Sequence, residues 1–287
     1  MFFPVDRSDG TQTGSVAPDG ETSMRAVARN LLRYAGYTLL EHMPVQQSER
    51  SRAREAQKYW SDVNQRAFHS NSHWKGGQGV PERVWLELGK PHLKLMLDHL
   101  TLRGRRLPVG RVVEWGCGGG ANAVHFAPVT DSFVGVDISQ ATLDECGIVL
   151  RSMGQENFQP VLTDVSNPEA AAGALAGTAD VFLCTYVFEL LPSQEHGQRI
   201  LDIANRVLRP GGTAIIQIKY ETADRKTKSR QWGYRRNLAN MTTYCIDDFW
   251  QRTERAGFTP VSISLRPKDD LIDDERYAYF VLDKPGG

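Results

Sequence analysis

Apolar and polar residues alternate with two different periods along this chain of 287 residues. Within residues 24–43, apolar side chains recur every three to four positions, which predicts an amphipathic helix. Residues 49–68 predict a second helix, and Pro81 suits the first turn of a third, which Pro91 is expected to bend or interrupt. Residues 1–23 hold few apolar side chains and are predicted to form a flexible tail.

Beyond residue 110 the pattern changes: short apolar runs alternate with segments of helical composition. This alternation is typical of βαβ units and predicts an α/β fold with a mostly parallel sheet. The chain closes with two strands that no helix separates, so the last strand is expected to be antiparallel. The seven strands are predicted at 111–115, 132–136, 158–163, 180–185, 213–219, 258–265 and 276–282, and the helices at 121–127, 139–152, 167–176, 193–208 and 247–256.

These patterns divide the chain into a tail at 1–23, a helical N-terminal cap at 24–108 and an α/β domain at 109–287. Pro210-Gly211-Gly212 predicts a turn before the fifth strand. Residues 220–244 form a polar insertion, interpreted either as a solvated loop or as a substrate flap that attracts phosphate or carboxylate. Its basic residues are Arg225, Lys226, Lys228, Arg230, Arg235 and Arg236.

Composition narrows the class of protein. Apolar residues make up 40% of the chain and charged residues 24%, as in ordinary soluble globular domains. Lys and Arg together number 34, as do Asp and Glu, so no overall basic field attracts nucleic acid and none is expected as a partner. No apolar run approaches the roughly 18 residues of a membrane helix, and the N-terminus lacks the pattern of a secretory signal.

The four cysteines are widely spaced and form no CxxC pair, so neither a structural zinc site nor a disulfide framework is predicted. A reducing, cytoplasmic compartment is therefore the expected location. Asp247 and Asp248 are acidic enough for a divalent cation, but no third ligand is identifiable, and no metal site is predicted. The oligomeric state is left open between a monomer and a homodimer.

The strongest local signal is the glycine-rich segment from Glu114 to Gly120, at the end of the first predicted strand. Glycines let the backbone approach a ligand closely, and ligands of such sheets bind outside the carboxyl ends of the strands. Asp137 ends the second strand, where a carboxylate can accept hydrogen bonds from both hydroxyls of a ribose. Asp164 ends the third strand, where it can accept a hydrogen bond from an adenine amino group. The combination predicts a nucleotide site, whereas the glycines alone fit a tight structural turn equally well.

The segments VVEWGCGGG, FVGVDIS, LTDV, VFLCTYVFELL and LRPGGTAIIQI, in this order, resemble the class I S-adenosylmethionine-dependent methyltransferases. The resemblance extends over residues 111–282. It implies a Rossmann-like sheet of seven strands with helices on both faces, S-adenosylmethionine as cofactor and S-adenosylhomocysteine as product. It further implies contacts to the methionine end from Glu114, Gly116, Cys117, Gly118 and Thr185, to the ribose from Asp137, and to adenine from Ile138, Asp164 and Val165.

Two departures from the family bear on the methyl acceptor. Many relatives that act on small molecules carry Glu-His-Leu after the fourth strand, where this chain has Glu189-Leu190-Leu191. The Asn/Asp-Pro-Pro-Tyr/Phe motif of enzymes that methylate nucleic-acid bases is also absent. We expect O-methylation of a small molecule such as a sugar, a phenol or a secondary metabolite. The alternatives are an RNA or protein methyltransferase and a catalytically inactive cofactor-binding module.

Because that histidine is missing, a base for a hydroxyl acceptor must come from elsewhere. His73 ranks first, since its ordinary pKa is near 6.5 and it lies in a proposed lid; His69 ranks second and Glu189 third. The other histidines are interpreted as packing, surface or helix-start residues. The aromatic residues expected near the substrate are Tyr59, Trp60, Trp74, Tyr186 and Tyr220.

Overall fold

The computed structural model describes residues 47–61, 82–105, 107–234, 237–268 and 274–286. The predicted tail and the predicted helix at 24–43 lie outside these ranges, so the division of the chain into a cap and an α/β domain stays a prediction.

Within the described residues, two helices precede the sheet. Helix α1 spans Glu49–Trp60 and begins at Ser48, whose hydroxyl accepts a hydrogen bond from the Ser51 N–H at 3.3 Å. Helix α2 spans Glu82–Leu102 and continues through Pro91. Of the bend or interruption expected at Pro91, the interruption is therefore wrong, although the proline donates no hydrogen bond.

Seven strands form one sheet in the order β3-β2-β1-β4-β5-β7-β6. Only β7 is antiparallel to its neighbours β5 and β6, while the other paired strands run parallel. The predicted α/β, Rossmann-like fold is thus confirmed, including its antiparallel last strand. The strands are β1 (Val109–Trp115), β2 (Thr130–Asp137), β3 (Phe158–Leu162), β4 (Ala179–Cys184), β5 (Leu208–Lys219), β6 (Thr259–Arg266) and β7 (Tyr277–Asp283).

Helices cover both faces of the sheet, because the alternate side chains of its central strands enter two different hydrophobic layers. Val113, Phe182 and Phe280 belong to one layer, whereas Val112 and Val181 belong to the other. The connecting helices are α3 (Ala123–Phe126), α4 (Gln140–Ser152), α5 (Glu169–Leu175), α6 (Gln194–Val207) and α7 (Ile246–Arg255).

Two predictions about the second half are corrected. The segment Pro210-Gly211-Gly212 is an irregularity inside β5, where the pairing with β4 shifts register, and not a turn before the strand. The insertion at 220–244 is not a solvated loop in its described part. Thr227, Tyr234 and Tyr244 are buried there, and short 3₁₀ turns span Arg225–Thr227 and Leu238–Asn240. Its apolar side chains supply the packing that the polar composition concealed.

None of the described helices combines the length and the apolar character that a membrane crossing needs.

Candidate active site

A cleft lies at the carboxyl ends of β1, β2 and β4, where the strand order reverses between β1 and β4. Such a reversal is the usual ligand-binding place of an open α/β sheet. The cleft has an empty volume of about 1340 Å³, including its open mouth. It is lined by all nine residues predicted to contact the cofactor: Glu114, Gly116, Cys117, Gly118, Asp137, Ile138, Asp164, Val165 and Thr185.

The glycine-rich segment turns sharply as it leaves β1. Gly116 has φ +76°, and a Cβ at this position would lie 2.3 Å from Cγ2 of Val187. Gly118 has φ +54° but open space around it, so only its backbone angle favours glycine. The N–H groups of Gly116 and Cys117 both donate to the Val136 carbonyl, at 2.7 and 3.1 Å, which ties the turn to β2.

Asp137 connects the glycine-rich segment with the next helix. One carboxylate oxygen accepts the Gly118 N–H at 3.0 Å, and the other accepts the Ser139 N–H at 3.0 Å. Burial raises the pKa of this carboxyl, while the backbone donors oppose the change. Each oxygen keeps a further lone pair, so the carboxylate can also accept two ribose hydroxyls.

Glu114 is a buried acid at the wall of the cleft. Its Oε1 accepts a hydrogen bond at 2.5 Å from the Asn122 amide, which also donates to the Thr185 hydroxyl at 3.0 Å. Oε2 is buried and has no hydrogen-bond partner among the described residues. Burial raises the pKa of Glu114 to about 8. Oε2 could accept a hydrogen bond from a ligand ammonium, so Glu114 fits the amino acid end of S-adenosylmethionine.

Helix α1 lies over the ends of β2 and β3. Gln57 donates to the Ile138 carbonyl at 3.2 Å and accepts the Val165 N–H at 3.0 Å. Ser61 also donates to the Ile138 carbonyl, at 3.2 Å. Asp164 is exposed beside them, and hydrogen bonds from Ser166 lower the pKa of its carboxyl. Sequence reasoning missed Gln57, because nothing in its neighbourhood along the chain indicates which loops it contacts.

The predicted substrate aromatics separate into different places. Trp60 and Tyr186 line the cleft, and the Trp60 indole donates to the Tyr234 hydroxyl at 2.9 Å. Tyr59 packs against Trp60, with ring centroids 4.9 Å apart, but does not line the cleft. Tyr220 also lies away from the cleft lining, bridged to Tyr244 beyond the end of β5. Substrate contact is therefore not expected from these two side chains, and Trp74 lies outside the described residues.

Of the three predicted bases, only Glu189 belongs to the residues that the structure describes. His73 and His69 lie outside the described residues. Glu189 belongs to the 3₁₀ turn Phe188–Leu190, is wholly buried and does not line the cleft, so its prediction as the base is wrong. The turn directs its carboxyl into the protein interior. Burial raises the pKa of Glu189 to about 8, although nearby Lys219 opposes the change.

Two histidines interpreted as packing or helix-start residues line the cleft instead. His92 of α2 has Nδ1 at 2.7 Å from Oδ1 of Asn122 and Nε2 at 2.9 Å from the Tyr279 hydroxyl. His196 lies in the first turn of α6, where its backbone N–H donates to the Ser193 hydroxyl at 2.9 Å. Burial lowers the pKa of both imidazoles to about 4, so both are neutral at pH 7.

The described residues contain no group of three or more His, Cys, Asp or Glu side chains suited to hold a metal ion.

The chain was compared with known families and proteins. Residues 90–263, more than half of the chain, match the model of a family described as a methyltransferase domain. An uncharacterised protein of Rickettsia prowazekii is 24% identical over 166 residues. That match covers 57% of this chain but only 28% of the relative, so this chain spans less than a third of the relative's length.

The fold is similar to that of solved structures. An S-adenosylmethionine-dependent methyltransferase from Clostridium acetobutylicum has a TM-score of 0.53 and 13% identity, over 72% of this chain and 93% of that one. A second, from Methanosarcina mazei, has a TM-score of 0.51 and 12% identity, over 65% and 98%. The chain belongs to the methyltransferase-domain family, and its motifs and sheet place it among the class I enzymes that use S-adenosylmethionine as cofactor.

Proposed function

We propose that the protein transfers a methyl group from S-adenosylmethionine to an oxygen atom of a small molecule, such as a sugar, a phenol or a secondary metabolite. The observation that carries this proposal is the set of side chains that cover the cleft. Trp60 of α1 and Tyr234 of the insertion line the cleft together with His92 and Tyr186. Side chains from four separate parts of the chain enclose the site, which suits a small acceptor better than a polymer.

The cofactor residues have distinct roles in this proposal. Glu114 pairs with the ammonium of the methionine part, beside the backbone of Gly116, Gly118 and Thr185. Asp137 holds the ribose hydroxyls while its bonds to Gly118 and Ser139 keep the carboxylate in place. The adenine edge meets Asp164 and Val165, and its face meets Ile138. In that arrangement Gln57 gives up the Val165 N–H that it accepts here.

Bound S-adenosylmethionine supplies a methyl group already activated by the positive sulfur. The protein therefore has to align the acceptor with that methyl group and exclude water, effects that can supply roughly 7–11 kcal/mol. A hydroxyl acceptor must also lose its proton, and a well-placed base contributes roughly 10²–10⁴-fold to the rate. The bases proposed from the sequence for this step, His73 and His69, lie outside the described residues.

A macromolecular acceptor is the main alternative, and the basic insertion is its support. Within the described residues, part of this positive charge is already paired. Lys228 forms an ion pair with Glu221 at 2.8 Å, and Arg225 and Lys226 are the exposed residues of a short 3₁₀ turn. The chain as a whole carries no net charge. The paired Lys228 and the zero net charge favour a small acceptor over RNA, whereas the exposed Arg225 and Lys226 are what supports the alternative.

The test uses the full-length protein, S-adenosylmethionine labelled in its methyl group and a cell metabolite extract. We expect a labelled small molecule whose methyl group is bound to oxygen. Label in total RNA or protein, added separately, would instead support the macromolecular alternative. Binding of S-adenosylhomocysteine without transfer to any of the three pools would support an inactive binding module.

A further inference from the structure

Five side chains form a hydrogen-bonded chain along the wall of the cleft. It begins at Glu114, passes through Asn122 and His92, and continues to the Tyr279 hydroxyl. The oxygens of Tyr279 and Tyr186 are 3.4 Å apart, which completes the chain. Glu114 lies at the predicted cofactor end, and Tyr186 lines the cleft at the fourth strand. Both ends of this chain therefore line the cleft.

The direction of these hydrogen bonds is fixed by Asn122. Its amide nitrogen donates to Glu114 and Thr185, so its oxygen faces His92 and must accept the Nδ1–H. The neutral imidazole then has an unprotonated Nε2, which accepts the Tyr279 O–H. The Tyr279 O–H can point to the Tyr186 oxygen at 3.4 Å or to Nε2 of His92 at 2.9 Å. Because the contact to the unprotonated Nε2 is shorter, Nε2 takes this proton, and the Tyr279 oxygen can then accept the Tyr186 O–H. Tyr186 therefore sends its proton away from the cleft.

Backbone geometry holds His92 and Tyr186 of this hydrogen-bonded chain in place. Helix α2 approaches the glycine-rich segment so closely that a Cβ at Gly89 would lie 2.4 Å from the Ala121 carbonyl oxygen. This contact brings His92, three residues later, within reach of Asn122. Tyr186 has φ +57°, which is rare for a residue other than glycine, and its N–H is bonded to the Gln217 side chain. A strained backbone at a ligand cleft is typical of a residue that must point in one direction.

We propose that Tyr186, Tyr279 and His92 form a relay that removes the proton of the acceptor hydroxyl during methyl transfer. This inference rests on the proposed O-methylation. The acceptor oxygen forms a bond with the methyl carbon as the bond from carbon to sulfur breaks and its electron pair stays on sulfur. The proton of the acceptor moves to the Tyr186 oxygen, the Tyr186 proton moves to Tyr279, and the Tyr279 proton moves to Nε2 of His92. The positive charge of the sulfonium is thereby replaced by an imidazolium.

The neutral state of His92 is consistent with such a role. Burial lowers its pKa to about 4, and His125 and Arg266 also oppose a positive charge there. A protonated ether oxygen is a far stronger acid than an imidazolium, even one whose pKa is lowered, so the proton moves downhill once the methyl group is bound. The same groups favour return of the proton through Tyr186 after the product leaves. The relay requires an acceptor that carries a hydrogen on its reacting atom, as a hydroxyl does, which excludes acceptors such as tertiary amines and thioethers.

The relay can be tested with Tyr279→Phe and His92→Gln, each in the full-length protein, using the metabolite extract and labelled S-adenosylmethionine. We expect each variant to lower kcat by about tenfold or more. The affinity for S-adenosylhomocysteine should stay within about twofold. The double variant should be no slower than the slower single variant, because both interrupt one path. Tyr277→Phe is the matched control. Its ring contacts Tyr186 edge-on at 5.3 Å, but its hydroxyl donates to Asp274 and takes no part in the relay.

A second measurement does not depend on the acceptor. In protein with ¹⁵N-labelled histidine, His92 should carry its proton on Nδ1, and Tyr279→Phe should shift the Nε2 resonance while Tyr277→Phe leaves it in place. A proton on Nε2 in the wild-type protein would overturn the relay, as would methyl transfer that Tyr279→Phe and His92→Gln leave unchanged. Absence of any methyl transfer by the wild-type protein would instead contradict the proposed function.

Discussion

Single carboxylates decide much of the expected cofactor affinity, and Asp137 is the clearest case. Its two oxygens already accept the backbone N–H groups of Gly118 and Ser139. Asp137→Ala removes both these bonds and the proposed ribose contacts. We expect the affinity for S-adenosylhomocysteine, measured by isothermal titration calorimetry, to weaken by roughly 1–3 kcal/mol. Asp164→Ala is the control for an exposed carboxylate and should cost less. Equal affinity of Asp137→Ala and the wild-type protein would refute the ribose assignment.

Glu114 should make cofactor binding depend on pH. Its pKa of about 8 leaves it mostly protonated at pH 7, whereas an ion pair with the ligand ammonium requires the carboxylate. Affinity for S-adenosylhomocysteine is therefore expected to rise between pH 6 and 8, by up to about tenfold per pH unit. Binding should release a proton, which calorimetry in buffers of different ionisation enthalpy detects. Glu114→Gln should bind more weakly and without this dependence. A wild-type affinity that stays constant from pH 6 to 8 would exclude this pairing.

At this scale the sequence predicts best where position along a strand decides position in space. The glycines after β1 and the carboxylates after β2 and β3 meet because parallel strands end at one edge of the sheet. His92 reaches the cleft, and Gln57 reaches the loops after β2 and β3. Both lie on helices outside the βαβ units, and their positions depend on how those helices pack. Glu189 shows the opposite failure. It lies in a tight turn, where successive side chains point in different directions, so closeness to Tyr186 in sequence did not place it in the cleft.

Among the elements, α1 contributes Trp60 to the cover of the cleft. It is attached through Arg52, whose guanidinium is buried and donates to the carbonyls of Pro192 and Gln231. It is also attached through Gln57, which holds the ends of β2 and β3. These polar contacts add to an apolar cluster in which Ala53 and Ala56 pack with Tyr234 and Met241. We interpret α1 as an element whose local opening slows when ligands fill the cleft.

Hydrogen exchange should show that movement. Amides of α1 are expected to exchange several-fold more slowly when S-adenosylhomocysteine and the metabolite extract are both present, because the ligands fill the cleft beneath Trp60. The amides of α7 serve as the internal control, since none of its residues lines the cleft. Unchanged exchange in α1 would show that the helix is ordinary packing.

The sequence predicted the strands and the helices between them well, because the apolar residues of each element recur with a clear period. It failed where local signals conflict with the tertiary structure. Pro91 and Gly211 are strong breakers locally, yet one lies inside α2 and the other inside β5, where neighbouring elements hold the backbone. The insertion was misjudged for a related reason. Its few apolar residues, such as Tyr234 and Met241, are buried against α1 and the cleft wall, and composition alone does not show where they pack.

For the whole molecule, the fold has a cost in buried ionisable groups. His92 and His196 are held neutral, with pKa values lowered to about 4, and Glu114 and Glu189 are held protonated, with pKa values raised to about 8. Two hydrophobic layers on either side of the sheet stabilise the fold that imposes this burial. Each group makes the stability of the fold depend on pH, and the histidines change it in the opposite direction to the glutamates.

The two histidines stabilise the fold above their unfolded pKa of about 6.5, and this contribution is lost as the pH falls to about 4. The two glutamates contribute fully below an unfolded pKa of about 4.5, and their contribution is lost as the pH rises to about 8. Between pH 4.5 and 6.5 the two trends oppose each other. From pH 6.5 to 8 only the glutamates act, so the free energy of unfolding should fall by about 1.4 kcal/mol per pH unit for each of them.

Urea unfolding of the protein without ligand, at pH 5.5, 6.5, 7.25 and 8, measures this decline directly. Glu189→Gln should remove about half of the slope above pH 6.5 while leaving the affinity for S-adenosylhomocysteine unchanged, because Glu189 does not line the cleft. Glu114→Gln should remove the other half and weaken the ligand. With saturating ligand, the wild-type protein should keep only the Glu189 part, since Glu114 is then ionised by its partner. A free energy of unfolding that is constant from pH 6.5 to 8 would show that neither carboxyl is held protonated. Proton release on cofactor binding would then no longer be expected, because Glu114 would already be ionised.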